Sequence, residues 1–382
     1  MESSALVYVF LTLVTVSLGL FVKNEIYVPL AIRGGRLPGE RGGCDRQRAR
    51  NRVAACAVYC LLAGVSACRI AVGNDYWVYT LNFSLISQER HVSSEIGFNS
   101  IVRFFQLLFE EGKAQYVAIF AFFSLTTVFF FVKALWDQGS HFAFSLFLLL
   151  TGGYYFNSLN SVRYYFALAL ALFAMKYALR KEYGKLLFCA LAGMLIHKSI
   201  LLIVPVYIVA RLLAGIRLKR WHIVLGGLFL GSLFFCRDLY RKLIFMFYPF
   251  YRDSAFDNGQ LSRANILKCV CVLLLCLVCY RKSLRTEAGN VENRFYAFLN
   301  LFGLAVYCCG SFIPETSRIG YYMIISQVFL LPRLLGEMNR GWLRRLCYGG
   351  VIGAFGVYFV FLLRGMYASD IRLLPYLNWI FD

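Results

Sequence analysis

VRYYFALALALFAMKYAL, residues 162–179, decides what kind of chain this is. It is a long apolar run, close to the roughly 20 residues needed to cross a hydrocarbon core. It also opens on a charge, Arg163. An ionisable side chain at membrane depth costs about 3 kcal/mol or more, so it faces protein or a wet cavity and marks a functional site. A second run, LLFCALAGMLIHKS (186–199), closes on His197 in the same way. Outward from these two, apolar runs recur at 5–22, 53–72, 116–136, 142–158, 199–213, 221–236, 264–280, 295–313, 319–335 and 346–363. The expectation is an all-α polytopic integral membrane protein, one membrane domain over 1–382, with about 11–12 transmembrane helices.

Composition agrees. The hydrophobic fraction is 60% and the mean hydropathy +0.63, above what soluble domains show. Aromatics at 17%, with 36 Phe and 25 Tyr, suit lipid-facing surfaces and interfacial belts. The net charge of +20 sits in the loops between runs rather than in a basic, aromatic-interleaved polar segment, so no nucleic-acid partner is expected. Those loop charges fix topology and touch anionic headgroups of the bilayer. Most of the 13 cysteines, among them Cys56, Cys60, Cys68, Cys269, Cys271 and Cys276, lie inside apolar runs as small hydrophobes. Cys276 and Cys279 have CxxC spacing but no second pair and no nearby His, which argues against zinc. With no DxD-like pair and no HExxH, neither a metal nor another cofactor is expected. Met1-Glu2-Ser3-Ser4 lacks a positive n-region, so residues 5–22 read as a permanent first span with its N-terminus outside.

The excess of Lys and Arg in cytoplasmic loops orients the rest. The basic segment 23–52 reads as cytoplasmic and, over Gly34–Asn51, as flexible; 73–115 and 237–263 read as extracytoplasmic. Residues 186–210 are either one span or two short helices that turn back at His197-Lys198-Ser199. The turn-back is preferred, because it keeps the basic loops Arg211–Arg220, Arg281–Arg294 and Arg333–Arg345 cytoplasmic. Arg69, Asp75, Glu95, Arg163, His197 and Arg318 then all fall at or near the extracytoplasmic face. Ile96–Phe109 is too brief to span and reads as interfacial or re-entrant.

Each polar residue has two readings. In CRIAVGNDYWVY (68–79), Arg69 and Asp75 are either an interfacial cap beside an aromatic belt or part of a site. Glu95 is a first-turn acid favoured by the helix dipole, or a site carboxylate. Arg163 opens a helix, where the dipole disfavours a cation, so it calls for a carboxylate or a phosphate, which Arg holds in a bidentate fork. His197 is a base near neutral pH or a structurally bonded imidazole. Arg318 in PETSRIGYY (314–322) snorkels or binds. Several cations with at least two carboxylates on one side suit a diphosphate-linked sugar. The arginines neutralise the leaving group, and Asp75, Glu95 or His197 takes a proton from an acceptor hydroxyl.

The order CRIAVGNDYWVY, SSEIGFN, NSVRYYFALAL, GMLIHKS and SRIGYYM resembles the EpsG family of exopolysaccharide proteins, which belongs with Wzy-type repeat-unit polymerases. The family pattern falls on Arg69, Gly73, Asp75 and Tyr79; Glu95, Gly97 and Phe98; Arg163 and Ala167; His197 and Ser199; Arg318 and Tyr321. Tyr164 stands where the family commonly has Gln, and Asn74 where Thr is frequent. The resemblance runs from about residue 60 to 325, with Leu374-Pro375-Tyr376 weakly similar. It implies a GT-C-type membrane glycosyltransferase in the bacterial inner membrane, without a metal. Its reaction would be polymerisation of undecaprenyl-diphosphate-linked oligosaccharide units for capsule, exopolysaccharide or O-antigen on the outer face. It implies catalytic roles among Asp75, Glu95 and His197, and substrate contacts at Arg69, Arg163, Arg318, Tyr79, Ser199 and Tyr321. A chain-length regulator and a flippase are the implied protein partners. A lipid-linked oligosaccharide transporter and a polysaccharide ligase are the alternatives.

Overall fold

The protein is described from a computed structural model. It covers residues 2–23, 45–90, 92, 94–217, 219–247, 252, 261–283, 287–310, 312, 315–368 and 371–380. The chain runs through α1 (Glu2–Gly19), α2 (Asp45–Ala67), α3 (Asp75–Ser87), α4 (Ile96–Leu108), α5 (Lys113–Gln138) and α6 (Phe142–Thr151). After these come α7 (Tyr154–Asn157), α8 (Val162–Leu179), α9 (Tyr183–Met194), a 3-10 turn (Lys198–Leu202), α10 (Ile203–Gly215), α11 (Arg220–Phe235) and α12 (Arg237–Phe247). The last are α13 (Arg263–Ser283), α14 (Glu287–Cys309), α15 (Thr316–Ile324), α16 (Gln327–Glu337) and α17 (Trp342–Gly365). Among the described residues there is no strand, only an antiparallel bridge between Arg69 and Asn378. The all-α membrane architecture read from the sequence is what the chain adopts.

Among the described residues, five helices are long and apolar enough to cross a membrane: α5, α8, Lys198–Gly215, Thr316–Glu337 and α17. Four shorter ones, Ser4–Gly19, Ile96–Leu108, Phe142–Thr151 and Tyr183–Met194, are apolar as well. One expected single run is divided, and the stretch read as either one span or two short helices is broken as well. Residues 142–158 break into α6 and α7 at Gly152-Gly153, where Gly153 takes φ 83. Residues 186–210 break at Leu195–His197 into α9 and the 3-10 turn leading to α10, so they are not one straight helix. The basic segments are also more helical than expected. Most of 23–52 (24–44) lies outside the described residues, and Arg46, Arg48, Arg50 and Arg52 extend α2 instead of forming a loop. Of 237–263, residues 237–247 are helical and 248–251 and 253–260 lie outside the described residues.

The chain forms two compact units, Met1–Val204 with Asn339–Asp382, and Pro205–Met338. In the first, α8 is the central helix: 78% of its apolar window is buried, against 17% for α17. Its alanines 167, 169, 171, 174 and 178 are fully buried, which lets neighbouring backbones approach closely. α5 and α9 flank α8, α2 packs on α5, and α1 packs on α2 and α6. α5 and α8 run in the same direction: Phe123 meets Phe166 near one end, and Asp137 meets Lys176 near the other. Asp137, wholly buried, takes Lys176 Nζ at 2.6 Å and Lys133 Nζ at 2.5 Å. At the opposite end, α3 and α4 fold against the start of α5 through Tyr76, Tyr79, Phe83, Phe98 and Phe120.

The second unit is built on α13, α14, α15 and α16. Arg333, assigned from the sequence to a basic loop, is instead on α16 and buried. Its Nη1 pairs with Glu292 at 2.5 Å and its Nε donates to Asn293 at 2.7 Å. A buried charge needs such partners, and here they stand on a different helix, so the local sequence gives no sign of them.

Candidate functional site

Glu95 is the residue before α4, in extended conformation, and its carboxylate does not cap its own helix. It reaches across to two other elements instead. Oε2 accepts Nη1 of Arg163, one residue inside α8, at 2.6 Å. Oε1 accepts the backbone N–H of Lys198 at 3.2 Å and lies 3.3 Å from Nδ1 of His197. The three side chains are only 14%, 23% and 21% exposed for Glu95, Arg163 and His197. A carboxylate only accepts, so Nδ1 carries the hydrogen in that contact, and in the neutral imidazole Nε2 is then the acceptor. Burial by itself raises the Glu95 carboxyl. The His197 hydrogen bond and the Arg163 charge outweigh burial and hold the group down at about 2.

Gly97 makes this junction possible. A Cβ there would lie 2.6 Å from Leu195 Cβ and 2.7 Å from Leu195 O. The close approach lets Phe98 donate its N–H to Leu195 O at 3.1 Å, two residues before His197. Beneath the pair, the Arg163 guanidinium lies over the rings of Phe98 (5.1 Å) and Tyr79 (6.0 Å). The Tyr79 hydroxyl accepts the Arg163 backbone N–H at 3.3 Å. Arg163 Nε is buried without a partner among the described residues, so Glu95 does not saturate the guanidinium. The His197 ring meets Tyr164 edge-on at 5.8 Å.

Asp75 comes to the same end of α8. Its backbone N–H donates to Asn160 Oδ1 at 2.9 Å, and its Oδ2 accepts the Ser161 hydroxyl at 2.6 Å. Gly73, at φ 91, packs so tightly on Asn160 that a Cβ would sit 2.9 Å from its Cα. Thus Asp75, Glu95, Arg163, His197 and Tyr79 gather around the first turn of α8. Ser199 is in the adjacent 3-10 turn, half-buried.

The structure does not bring Arg69 into that group. It is 1% exposed, and its Nη1 is bonded to Ser66 O and to Ser124 Oγ with Phe120 beneath it. It ties α2 to α5. Arg318 and Tyr321 belong to the second unit. There Arg318 Nε pairs with Glu315 at 3.0 Å and stays partly exposed, while Tyr321 shares a hydrogen bond with Asn265. Asn160 and Ser161 escaped the sequence reading as site residues, although a polar pair just before an apolar helix is an N-terminal signature. Among the described residues no group of three His, Cys, Asp or Glu side chains is placed to hold a metal.

Buried charges at the ends of apolar helices, clustered at one helix start, define a polytopic membrane protein with a polar centre. The model of the EpsG family matches residues 52–378, and the chain belongs to that family. This places it with polysaccharide polymerase-type membrane proteins. No curated protein and no solved structure matches the chain.

Proposed function

We propose that the protein polymerises undecaprenyl-diphosphate-linked oligosaccharide repeat units, by glycosyl transfer on the outer face of the bacterial inner membrane. The observation that carries this reading is the Arg163–Glu95–His197 junction beside Asp75 at the start of α8. Arg163, with donor capacity left over, takes the diphosphate, helped by the positive end of the α8 dipole. His197 Nε2 is the base: it removes the proton of the acceptor hydroxyl as that oxygen bonds to the anomeric carbon. The bond from that carbon to the phosphate oxygen breaks, and the lipid diphosphate leaves with the electron pair. Glu95 orients the imidazole and steadies the cation it becomes, as an acid does in a nucleophile–base–acid triad. Held at about 2, Glu95 is a poor proton acceptor near neutrality and acts as a positioning residue. Asp75 binds the acceptor sugar, and Tyr79 and Ser199 border the centre.

No step in this scheme requires a metal. Arg318 and Tyr321 are proposed as substrate contacts from their match to the family pattern and from the partial exposure of Arg318. Arg69 serves the packing of α2 on α5. A repeat-unit flippase and a chain-length regulator are the partners such an enzyme needs.

Purified protein in lipid nanodiscs, given a lipid-diphosphate-linked repeat unit, should produce a ladder of longer products. Arg163→Ala and His197→Ala should each abolish the ladder. Wild-type rates in both variants would move the site elsewhere.

A further inference from the structure

The segment that delivers Asp75 does not hold its own shape. Ala71 sits at φ 55 and Gly73 at φ 91, and a left-handed residue with a Cβ persists only when its surroundings enforce it. The enforcement comes from the far end of the chain. Gly73 donates its N–H to Arg372 O at 2.8 Å, Asn74 to Ile371 O at 3.0 Å and Ile70 to Leu377 O at 3.1 Å. In return Trp379 donates to Cys68 O at 3.0 Å. Arg372, at φ 46, is left-handed too, so both faces of this seam carry strain. The tail is pinned from below: Tyr8 donates its hydroxyl to Leu373 O and Tyr376 to Val65 O, both at 2.8 Å, and Leu373 and Leu374 are buried. On its other side the same turn meets Asn160, which takes the Asp75 N–H.

Asp75 is therefore set between two fixed walls, the start of α8 and the tail. We propose that residues 371–379 are positioning residues that seat Asp75 in the proposed transfer site, so that the enzyme is complete only with its C-terminal tail docked. This rests on the polymerase reading, while the docking itself does not. Removing the tail strips partners from the amides of Ile70, Gly73 and Asn74. A misplaced site group costs rate more than it costs binding of a substrate held mainly elsewhere, here by Arg163.

The test uses full-length protein in nanodiscs, a chain ending at Ala368, and Trp379→Pro, which removes one donor and leaves the rest of the tail in place. Hydrogen exchange over residues 68–79 reports the docking without reference to activity. Polymer formation from a lipid-linked repeat unit reports kcat and KM. Exchange in 68–79 should speed up in both variants, with kcat down about tenfold or more and KM for the lipid donor within about twofold. A synthetic peptide of residues 369–382 should restore both readouts to the chain ending at Ala368. Unchanged exchange on truncation would overturn the docking. Faster exchange in Trp379→Pro with kcat unchanged would overturn the positioning role. A wild-type chain that makes no polymer would instead sink the polymerase reading, and the exchange measurement would still decide whether the tail holds the turn.

Discussion

Glu95 and Arg163 form the ion pair on which the centre is built, Oε2 to Nη1 at 2.6 Å, while the second oxygen of Glu95 faces His197. One carboxylate thus fixes a cation and an imidazole at once. Glu95→Gln keeps the shape and removes the charge. Its amide can donate, so Nδ1 is no longer compelled to carry the hydrogen, and Nε2 ceases to be a dependable acceptor. Polymerisation should fall on the order of 10³-fold in kcat, further than the lowered melting temperature expected from loss of the Arg163 ion pair accounts for. A loss confined to KM would assign Glu95 to binding only.

The pH response follows from the same pair. Glu95 lies below its ordinary 4.5, at about 2. A depressed carboxyl contributes stability that is complete above its unfolded value and is lost as pH falls through the folded one. Wild-type protein should therefore show no unfolding slope from Glu95 near neutrality, only destabilisation below about pH 4.5. Arg163→Gln removes one of the two main lowering influences and leaves burial, the largest contribution, in place. The folded value of Glu95 moves up toward the unchanged unfolded one, so the variant's acid destabilisation should be smaller and should level off at a higher pH than in the wild type. Thermal melts in detergent between about pH 3 and 7 read this directly, and superimposable profiles would deny the coupling.

Sequence reading reached the helices and the polar residues of the centre because both announce themselves locally. Apolar runs give spans, and Arg163, Glu95 and His197 stand where membrane energetics penalises them. Partnerships were less legible. The bonds of Asp75 to Asn160 and Ser161, and of the Gly73 turn to Arg372, join residues far apart in the chain. Arg69 showed the limit of the argument from cost: a penalised arginine needs a polar partner, and Ser66 and Ser124 supply one inside the protein. Arg333 misled for the same reason, its acid Glu292 lying on another helix.

Gly97 carries a steric prediction. A methyl group there meets Leu195 Cβ at 2.6 Å and its carbonyl at 2.7 Å, backbone that cannot swing aside. Gly97→Ala should cost about 1–3 kcal/mol, by parting α4 from the segment before His197. The parting lengthens the Glu95–His197 contact, so activity should fall further than the stability loss accounts for. Gly184→Ala, where a Cβ meets nothing within 4 Å, serves as the control and should be silent in both stability and polymerisation.

The last prediction concerns Asp137, at the opposite end of the α5–α8 pair from Glu95. Both of its oxygens are taken, by Lys133 and Lys176, and it is wholly inaccessible, with Lys176 also nearly buried. Breaking such a pair by deleting one partner leaves an uncompensated charge, which costs about 3–5 kcal/mol. Replacing both partners with apolar residues of similar volume removes the charge and its penalty together. Asp137→Leu should therefore lower the melting temperature sharply, and Asp137→Leu with Lys176→Met should recover most of the loss. Lys133 is partly exposed and can hydrate, so Lys133→Met alone should matter little. The cycle also isolates stability from chemistry: the double variant, assayed where it is folded, should polymerise at the wild-type rate, because the contacts of the Glu95 centre are at the other end of α8. A double variant as unstable as Asp137→Leu would mean the aspartate is needed for something other than neutralising Lys176.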